Sequence, residues 1–262
     1  MRALLNASPE RQNAGAPEGP ACTVSIIVPA RDEGEALLHL LRELIEIFPP
    51  AGRAEILVVD DGSSDGTIER VVGLRGEGAA LRLLRHERPR GQTAALVAGA
   101  RAAQGVVLAF IDGDGQNPPG ELARLLSVYE AFPVDQREGL LLLGERQMRR
   151  DALSRRLASR LANRVRSAVL GDGVADSGSG LKVCRRDDLL CLPLFDHAHR
   201  YLPALFRAAG GRTISVPVAH RPRRQGRSHY GILDRAWEGL IDLPGVLWLV
   251  RRSLRDRARE IE

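Results

Sequence analysis

An apolar run that ends in two carboxylates is the feature that most constrains the fold. Residues 106–111 contain no polar side chain and are followed by Asp112-Gly113-Asp114. An apolar run of this length without periodicity is typical of a strand buried on both faces, as in parallel sheets covered by helices. Because ligands bind at the carboxyl ends of such strands, the two aspartates are candidate oxygen ligands for a divalent cation beside a diphosphate. A strand followed by an ordinary Asp/Gly turn is the alternative.

Predicted strands and helices alternate along most of the chain. The predicted helices cover residues 34–48, 64–74 and 92–103, and another is entered through Asn117-Pro118-Pro119. This alternation predicts an α/β fold with a doubly wound, mostly parallel sheet. The strands are predicted at residues 23–29, 55–60, 81–84, 106–111, 139–143, 181–184 and 213–218.

Length and composition limit the classes of protein. A chain of 262 residues with 44% hydrophobic content can bury one sizeable core. We divide it into a loose tail (1–21), an α/β domain (22–230) and an amphipathic C-terminal helix (231–262). Only three cysteines are present, in a pattern that fits neither a disulfide framework nor a zinc site, so we expect a cytoplasmic protein. Aromatic residues make up 4%, which argues against a nucleic-acid partner.

The C-terminal segment has two interpretations. Residues 232–250 are apolar-rich and contain Trp237 and Trp248, but Asp242 and Pro244 interrupt them. A bilayer span needs about 20 consecutive apolar residues, and this run is shorter. A helix with tryptophans and trailing arginines can lie in the membrane interface. Alternatively, the helix packs on the domain's own core.

A second acidic pair points to a nucleotide. Asp60 and Asp61 close the second predicted strand, and Glu33 follows the first. Carboxylates at such strand ends can accept hydrogen bonds from a nucleobase or a ribose. Capping of the next helix is the alternative role for the pair.

The motifs also carry a family resemblance. Residues 26–33, 58–67 and 112–119, in that order and spacing, resemble family 2 glycosyltransferases of the GT-A fold. Residues 88–95, 200–203 and 223–230 are similar to motifs of the dolichyl- or undecaprenyl-phosphate sugar transferase branch. The resemblance implies a GT-A sheet followed by a C-terminal acceptor-side segment and the amphipathic helix. Its usual residues are replaced at Arg31, Asp32, Pro89, Gly113 and Gly115.

The resemblance also implies a set of site residues. A cation, Mg²⁺ or Mn²⁺, would be bound by Asp112, Asp114 and Gln116. The catalytic group would include Asp114, Arg155 and Asp176. The donor would contact Pro29, Glu33, Asp60, Asp61, Gln92 and Asp112, and phosphate groups would contact Arg146, Arg155, Ser159, Arg223 and Ser228. Arginine suits such contacts because its guanidinium binds phosphate through two parallel hydrogen bonds.

These implications predict an inverting transfer of a sugar from a UDP- or GDP-sugar to a polyprenyl phosphate. An ionised phosphate needs no strong base, so Asp176 is interpreted as an organiser of the acceptor or the sugar. We expect an enzyme bound peripherally to the cytoplasmic face of the membrane, with a membrane-anchoring partner or a homo-oligomer as further expectations. Two alternatives stay open: a soluble transferase that acts on a hydroxyl, with Asp176 as its base, and a non-catalytic nucleotide-binding module.

Overall fold

The computed structural model describes residues 23–49, 53–75, 81–146, 166–222 and 232–253, the last range as backbone alone for 232–241. Within these ranges the core element is one sheet with the strand order β3-β2-β1-β4-β6-β5-β7. The strands are β1 (Val24–Ala30), β2 (Ala54–Asp60), β3 (Leu81–Arg85), β4 (Val107–Phe110), β5 (Leu140–Arg146), β6 (Lys182–Arg185) and β7 (Arg212–Val218). The helices are α1 (Gly34–Ile47), α2 (Thr67–Leu74), α3 (Gln92–Ala102), α4 (Pro119–Glu130), α5 (Arg186–Leu190), α6 (Leu202–Ala208) and α7 (Ile232–Arg252).

The sheet is mostly parallel, as the sequence predicts. β1 pairs in parallel with β2 and β4, β2 with β3, and β5 with β7. Only β6 runs antiparallel, between β4 and β5. β2 and β3 lie on one side of β1 and β4 on the other, so the strand order reverses at β1. The carboxyl ends of β1 and β4 therefore border the crevice in which such sheets bind ligands.

Helices cover both faces of the sheet because its strands are apolar on both sides. Along β1 successive side chains alternate between faces. Ile26 and Val28 belong to a core cluster with Leu37 of α1 and Leu122 of α4. Ile27 faces the opposite way, into a cluster that includes residues of α3 and α6. Burial on both faces explains the lack of alternation in the strand sequences.

Two element boundaries differ from the predicted ones for identifiable reasons. β5 continues to Arg146 rather than ending at residue 143, because its last residues pair with β7 as far as Val218. α2 begins at Thr67 rather than at residue 64. The carboxylate of Asp65 accepts the N–H of Thr67, the first helical residue, at 3.0 Å. Gly66 precedes the helix with a positive φ of 80°, a conformation that does not continue a helix, so the helix begins after it.

The C-terminal helix packs on the domain through part of its predicted membrane face. Val246 is 2% exposed and lies in a cluster with Leu170, Tyr201 and Ala204. This contact corresponds to the alternative in which the helix packs on its own core. Trp248 is 63% exposed. Trp237 lies in the part of the helix that is described as backbone alone. Within the described ranges, no helix combines the length and apolarity that a membrane crossing requires.

Candidate active site

The Asp-x-Asp turn is fastened to the end of β1. The N–H of Gly113 donates to the Pro29 carbonyl oxygen at 3.2 Å, and the N–H of Ile111 donates to the Ile27 carbonyl oxygen, also at 3.2 Å. A Cβ atom on Gly113 would lie 2.9 Å from the same Pro29 oxygen, so this close approach requires glycine. The turn is therefore held at the point where the strand order reverses.

Asp112 lies in a charged, poorly solvated position. Its Oδ1 accepts a hydrogen bond from Nε2 of Gln92, the first residue of α3, at 2.8 Å. The pKa of Asp112 is raised from 3.8 to about 6. Burial is the largest cause, and the negative charge of Asp114 adds to it, whereas the positive charges of Lys182 and Arg146 act in the opposite direction. Asp112 and Asp114 are both half-buried, and two carboxylates that repel each other in such a turn are stabilised by a cation.

The donor atoms of this turn fit a hard divalent cation. Asp114 is half-buried, and its Oδ1 accepts the N–H of Gln116 at 3.1 Å. Among the described residues, no three His, Cys, Asp or Glu side chains form a metal-binding group by themselves. Mg²⁺ commonly takes one or two carboxylates and completes its shell with water and substrate phosphates. Asp112 and Asp114 fit that arrangement, with Gln116 in the same turn.

The predicted nucleoside-binding residues gather at the carboxyl ends of β1 and β2. Asp61 lies 2.8 Å from Nδ1 of His86 and accepts the N–H groups of Arg90 and Gly91, each at 2.8 Å. Asp60 accepts the Ser63 N–H at 3.2 Å through Oδ2. Neither carboxylate caps α2. Both instead accept hydrogen bonds from the loops around the crevice. No sequence motif indicated that His86 would be the partner of Asp61.

Asp32 connects the loops that follow β1 and β2. Asp32 has a positive φ of 51°, and its carboxylate accepts the Ser64 N–H at 2.7 Å. Its own N–H donates to the Ser63 hydroxyl at 2.9 Å. Glu33 directly precedes α1 and is half-buried. The structure thus brings Pro29, Glu33, Asp60 and Asp61 to one edge of the sheet.

Arg146 and Asp176 form a bidentate ion pair. Nε and Nη2 of Arg146 donate to the two carboxylate oxygens of Asp176 at 2.7 and 2.8 Å. The side chains are 17% and 10% exposed. The hydrogen bond and the charge of Asp176, with smaller contributions from Asp112 and Asp114, raise the pKa of Arg146 despite the opposing effect of burial. These two predicted site residues are therefore in contact with each other.

The loop that carries Asp176 is buried against the Asp-x-Asp turn. Asp176, Ser177 and Ser179 are 7%, 3% and 0% exposed. A Cβ atom on Gly180 would overlap the Asp112 carboxylate. Lys182 follows the loop, is 3% exposed and donates through Nζ to the Ser179 carbonyl oxygen. No sequence motif pointed to Lys182 as a site residue, although it is the only lysine in the sequence.

Four predicted phosphate ligands lie outside the described residues: Arg155, Ser159, Arg223 and Ser228. Residues 221 and 222, which directly precede Arg223, are within the described part of the chain. The N–H of Arg221 donates to the Gln116 carbonyl oxygen at 2.8 Å, and its Nη1 donates to Oε1 of Glu43 in α1 at 2.8 Å. The segment just before residue 223 thus contacts the Asp-x-Asp turn.

Comparisons with known proteins agree with this arrangement. The chain is 33% identical over 237 residues to dodecaprenyl-phosphate galacturonate synthase of Rhizobium johnstonii, a match that covers 88% of this chain and 68% of that protein. It is 32% identical over 214 residues to undecaprenyl-phosphate 4-deoxy-4-formamido-L-arabinose transferase of Edwardsiella ictaluri, and this match covers 80% of this chain and 63% of that protein. The chain therefore spans about two thirds of the length of these relatives.

A solved structure supports the predicted fold, and a match to a family of known sequences shows to which family the chain belongs. Glucosyl-3-phosphoglycerate synthase from Mycobacterium tuberculosis, in complex with Mg²⁺ and UDP, superposes with a TM-score of 0.65 at 19% identity, over 89% of this chain and 80% of that one. The predicted GT-A fold is confirmed. Residues 25–191, well over half of the chain, match the family described as glycosyl transferase family 2. The protein is thus a member of glycosyl transferase family 2, in the branch of polyprenyl-phosphate sugar transferases that its motifs resemble.

Proposed function

We propose that the protein transfers a sugar from a UDP- or GDP-sugar to a polyprenyl phosphate with inversion at the anomeric carbon. One observation carries the proposal. The Asp-x-Asp turn after β4 and the Arg146–Asp176 pair at the end of β5 lie on either side of the start of β6, whose first residue pairs with both neighbouring strands. Carboxylates suited to a cation and diphosphate thus adjoin an arginine suited to a second phosphate.

Acceptor chemistry agrees with the state of Asp176. Its carboxylate is engaged at both oxygens by Arg146, so taking a proton would weaken a bidentate ion pair. A hydroxyl acceptor needs a base to remove its proton, whereas a phosphate is already ionised. The pair therefore favours a phosphate acceptor. The two relatives are named for transfer to polyprenyl phosphates, which supports the same choice of acceptor.

The transfer itself is a displacement at one carbon. An oxygen of the acceptor phosphate forms a bond to the anomeric carbon, while the bond from that carbon to the donor's diphosphate oxygen breaks and its electron pair leaves with the diphosphate. Arg146 orients the acceptor through the edge of its guanidinium that Asp176 does not use. Arg155, Ser159, Arg223 and Ser228 are proposed to bind further phosphate oxygens.

Asp112, Asp114 and Gln116 would hold Mg²⁺ or Mn²⁺. Such a cation supplies positive charge that stabilises the departing diphosphate. Gln92 keeps Asp112 oriented by donating to its Oδ1. Pro29, Glu33, Asp60 and Asp61, at the ends of β1 and β2, are proposed to form the nucleoside side of the donor site.

Access to a lipid acceptor requires contact with a membrane surface. The end of α7 presents Trp248, Arg251 and Arg252 to solvent. Anionic lipid attracts each such basic residue by about 1 kcal/mol close to the surface. We propose that this end of α7 binds the cytoplasmic face peripherally, and that a membrane-anchoring partner or a homo-oligomer assists it.

A donor screen tests the proposed function. Radiolabelled UDP- and GDP-sugars are incubated with undecaprenyl phosphate and Mg²⁺ or Mn²⁺, and the label extracted into organic solvent is counted. We expect one donor to give label that depends on both acceptor and metal, with Asp114→Ala as the inactive control. Transfer of label to a water-soluble hydroxyl acceptor in place of the lipid would contradict the proposal.

A further inference from the structure

Lys182 is a buried basic residue to which the proposed reaction assigns no role. It is the only lysine of the chain and is 3% exposed. Burial lowers its pKa, against the opposing effects of Asp112 and Asp176. A buried ammonium group is strongly unfavourable unless it is paired and hydrogen-bonded. The position of Lys182 must therefore be explained by the groups around it.

The register of the sheet places Lys182 between the two halves of the site. As the first residue of β6, it pairs with Phe110, which precedes Asp112 by two residues. On the other side it pairs with Leu143, three residues before Arg146. Because β6 runs antiparallel to both neighbours, its beginning lies at the edge where their carboxyl ends lie.

The contacts of the ammonium group lead into the loop at residues 176–180. Nζ donates to the Ser179 carbonyl oxygen, and Ser179 is completely buried. The next residue, Gly180, lies so close to the Asp112 carboxylate that no side chain fits between them. One hydrogen bond from Lys182 thus holds the part of the loop that touches Asp112.

We propose that Lys182 is a positioning residue that holds the 176–180 loop against Asp112. Its ammonium group interacts electrostatically with both Asp112 and Asp176 and so offsets their repulsion, while its hydrogen bond to the Ser179 carbonyl oxygen fixes the loop backbone. Lys182 thereby sets the orientation of the cation-binding turn relative to the Arg146–Asp176 pair. The effect on catalysis rests on the proposed function, but the effect on the loop and on cation binding does not.

Hydrogen exchange and Mn²⁺ binding test the proposal without donor or acceptor. In Lys182→Met, amides of the peptide that spans residues 172–181 should exchange at least about tenfold faster than in the unchanged protein. The variant lacks the hydrogen bond and the charge that hold the loop closed, so the loop opens more often. Mn²⁺ binding, followed by the electron paramagnetic resonance signal of the free ion, should weaken at least about tenfold, because the lost orientation of the turn outweighs the removal of a positive charge that repels the ion. Lys182→Gln keeps a donor for the Ser179 carbonyl, so it should show an intermediate exchange rate and a smaller loss of Mn²⁺ affinity than Lys182→Met. It carries the test if Lys182→Met does not fold.

Arg82→Met is the matched control. Arg82 pairs with Glu55 at 2.7 Å near the amino end of β2, at the opposite edge of the sheet, so its loss should lower stability without changing loop exchange or Mn²⁺ binding. Unchanged exchange and unchanged Mn²⁺ binding in a folded Lys182 variant would overturn the proposal, as would equal effects in Arg82→Met. If the donor screen fails while these two measurements respond as expected, the proposed function is wrong and the role of Lys182 stands.

Discussion

The Arg146–Asp176 pair gives the most quantitative prediction, through the variant Asp176→Asn. The two hydrogen bonds of 2.7 and 2.8 Å join side chains that are only 17% and 10% exposed. Removing one member of a fully buried pair costs about 3–5 kcal/mol, because the remaining charge is left uncompensated. Since Arg146 retains some contact with solvent, we expect Asp176→Asn to lower the free energy of unfolding by about 2–3 kcal/mol at pH 7.

Urea unfolding of a double-mutant cycle measures this coupling. The cycle comprises Asp176→Asn, Arg146→Met and the double variant. The double variant should lose about 1–2 kcal/mol less than the sum of the two single losses, since the second substitution removes a charge that already lacks its partner. Additivity within about 0.5 kcal/mol would refute the ion pair as an energetic unit.

The same variant separates the two roles considered for Asp176. If Asp176 organises the acceptor, Asp176→Asn should raise the acceptor KM and lower kcat by less than about tenfold, with an unchanged pH profile. A general base contributes about 10²–10⁴ to the rate. A loss of kcat in that range at unchanged KM, together with loss of the acidic limb of the pH profile, would show that Asp176 accepts a proton.

Three further predictions concern the cation and the membrane. Asp114→Ala should abolish turnover yet shift the unfolding temperature by no more than about 2 °C, because a half-buried carboxylate adds little to the core; turnover restored by excess metal would contradict this. In EDTA, the contribution of Asp112 to the free energy of unfolding should fall as pH rises from about 4 to 6, because its raised pKa makes the folded state hold this proton more tightly than the unfolded state does. Asp112→Asn should remove this slope and be more stable than the unchanged protein at pH 7, and a slope kept by the variant would refute the assignment. Trp248→Ala combined with Arg251→Glu should reduce cosedimentation with anionic vesicles at low salt, and unchanged sedimentation would exclude this end of α7 as the contact.

The sheet and its functional edge could be predicted because their signals are local. The apolar run before Asp112 is a strand in the structure, and burial on both faces is the reason that its sequence shows no alternation. Asp61 follows β2 directly, and Asp112 and Asp114 follow β4 within four residues, so strand prediction alone brings them to one edge. The end of β5 was predicted three residues short, since Glu145 and Arg146 are polar although they pair with β7.

The contacts within the site could not be predicted because they join distant parts of the chain. Arg146 and Asp176 are 30 residues apart. Each was assigned a separate role from its own motif, and their pairing depends on the insertion of β6 between β4 and β5. Lys182 was overlooked for a similar reason, because a lysine at the start of a short strand ordinarily faces solvent. In α7, hydrophobic patterning could not distinguish packing of Val246 on the core from burial in lipid.

The linkage formed in the product shows directly whether a phosphate oxygen attacks the anomeric carbon. Undecaprenyl phosphate is incubated with the donor identified by the screen, and the lipid product is analysed by ³¹P and ¹³C nuclear magnetic resonance. Inverting transfer to the lipid phosphate predicts a single phosphodiester whose phosphorus couples to the anomeric carbon of the sugar, with the anomeric configuration opposite to that of the donor. A product in which the sugar is joined to a hydroxyl, or a phosphodiester with the donor's own configuration, would contradict it.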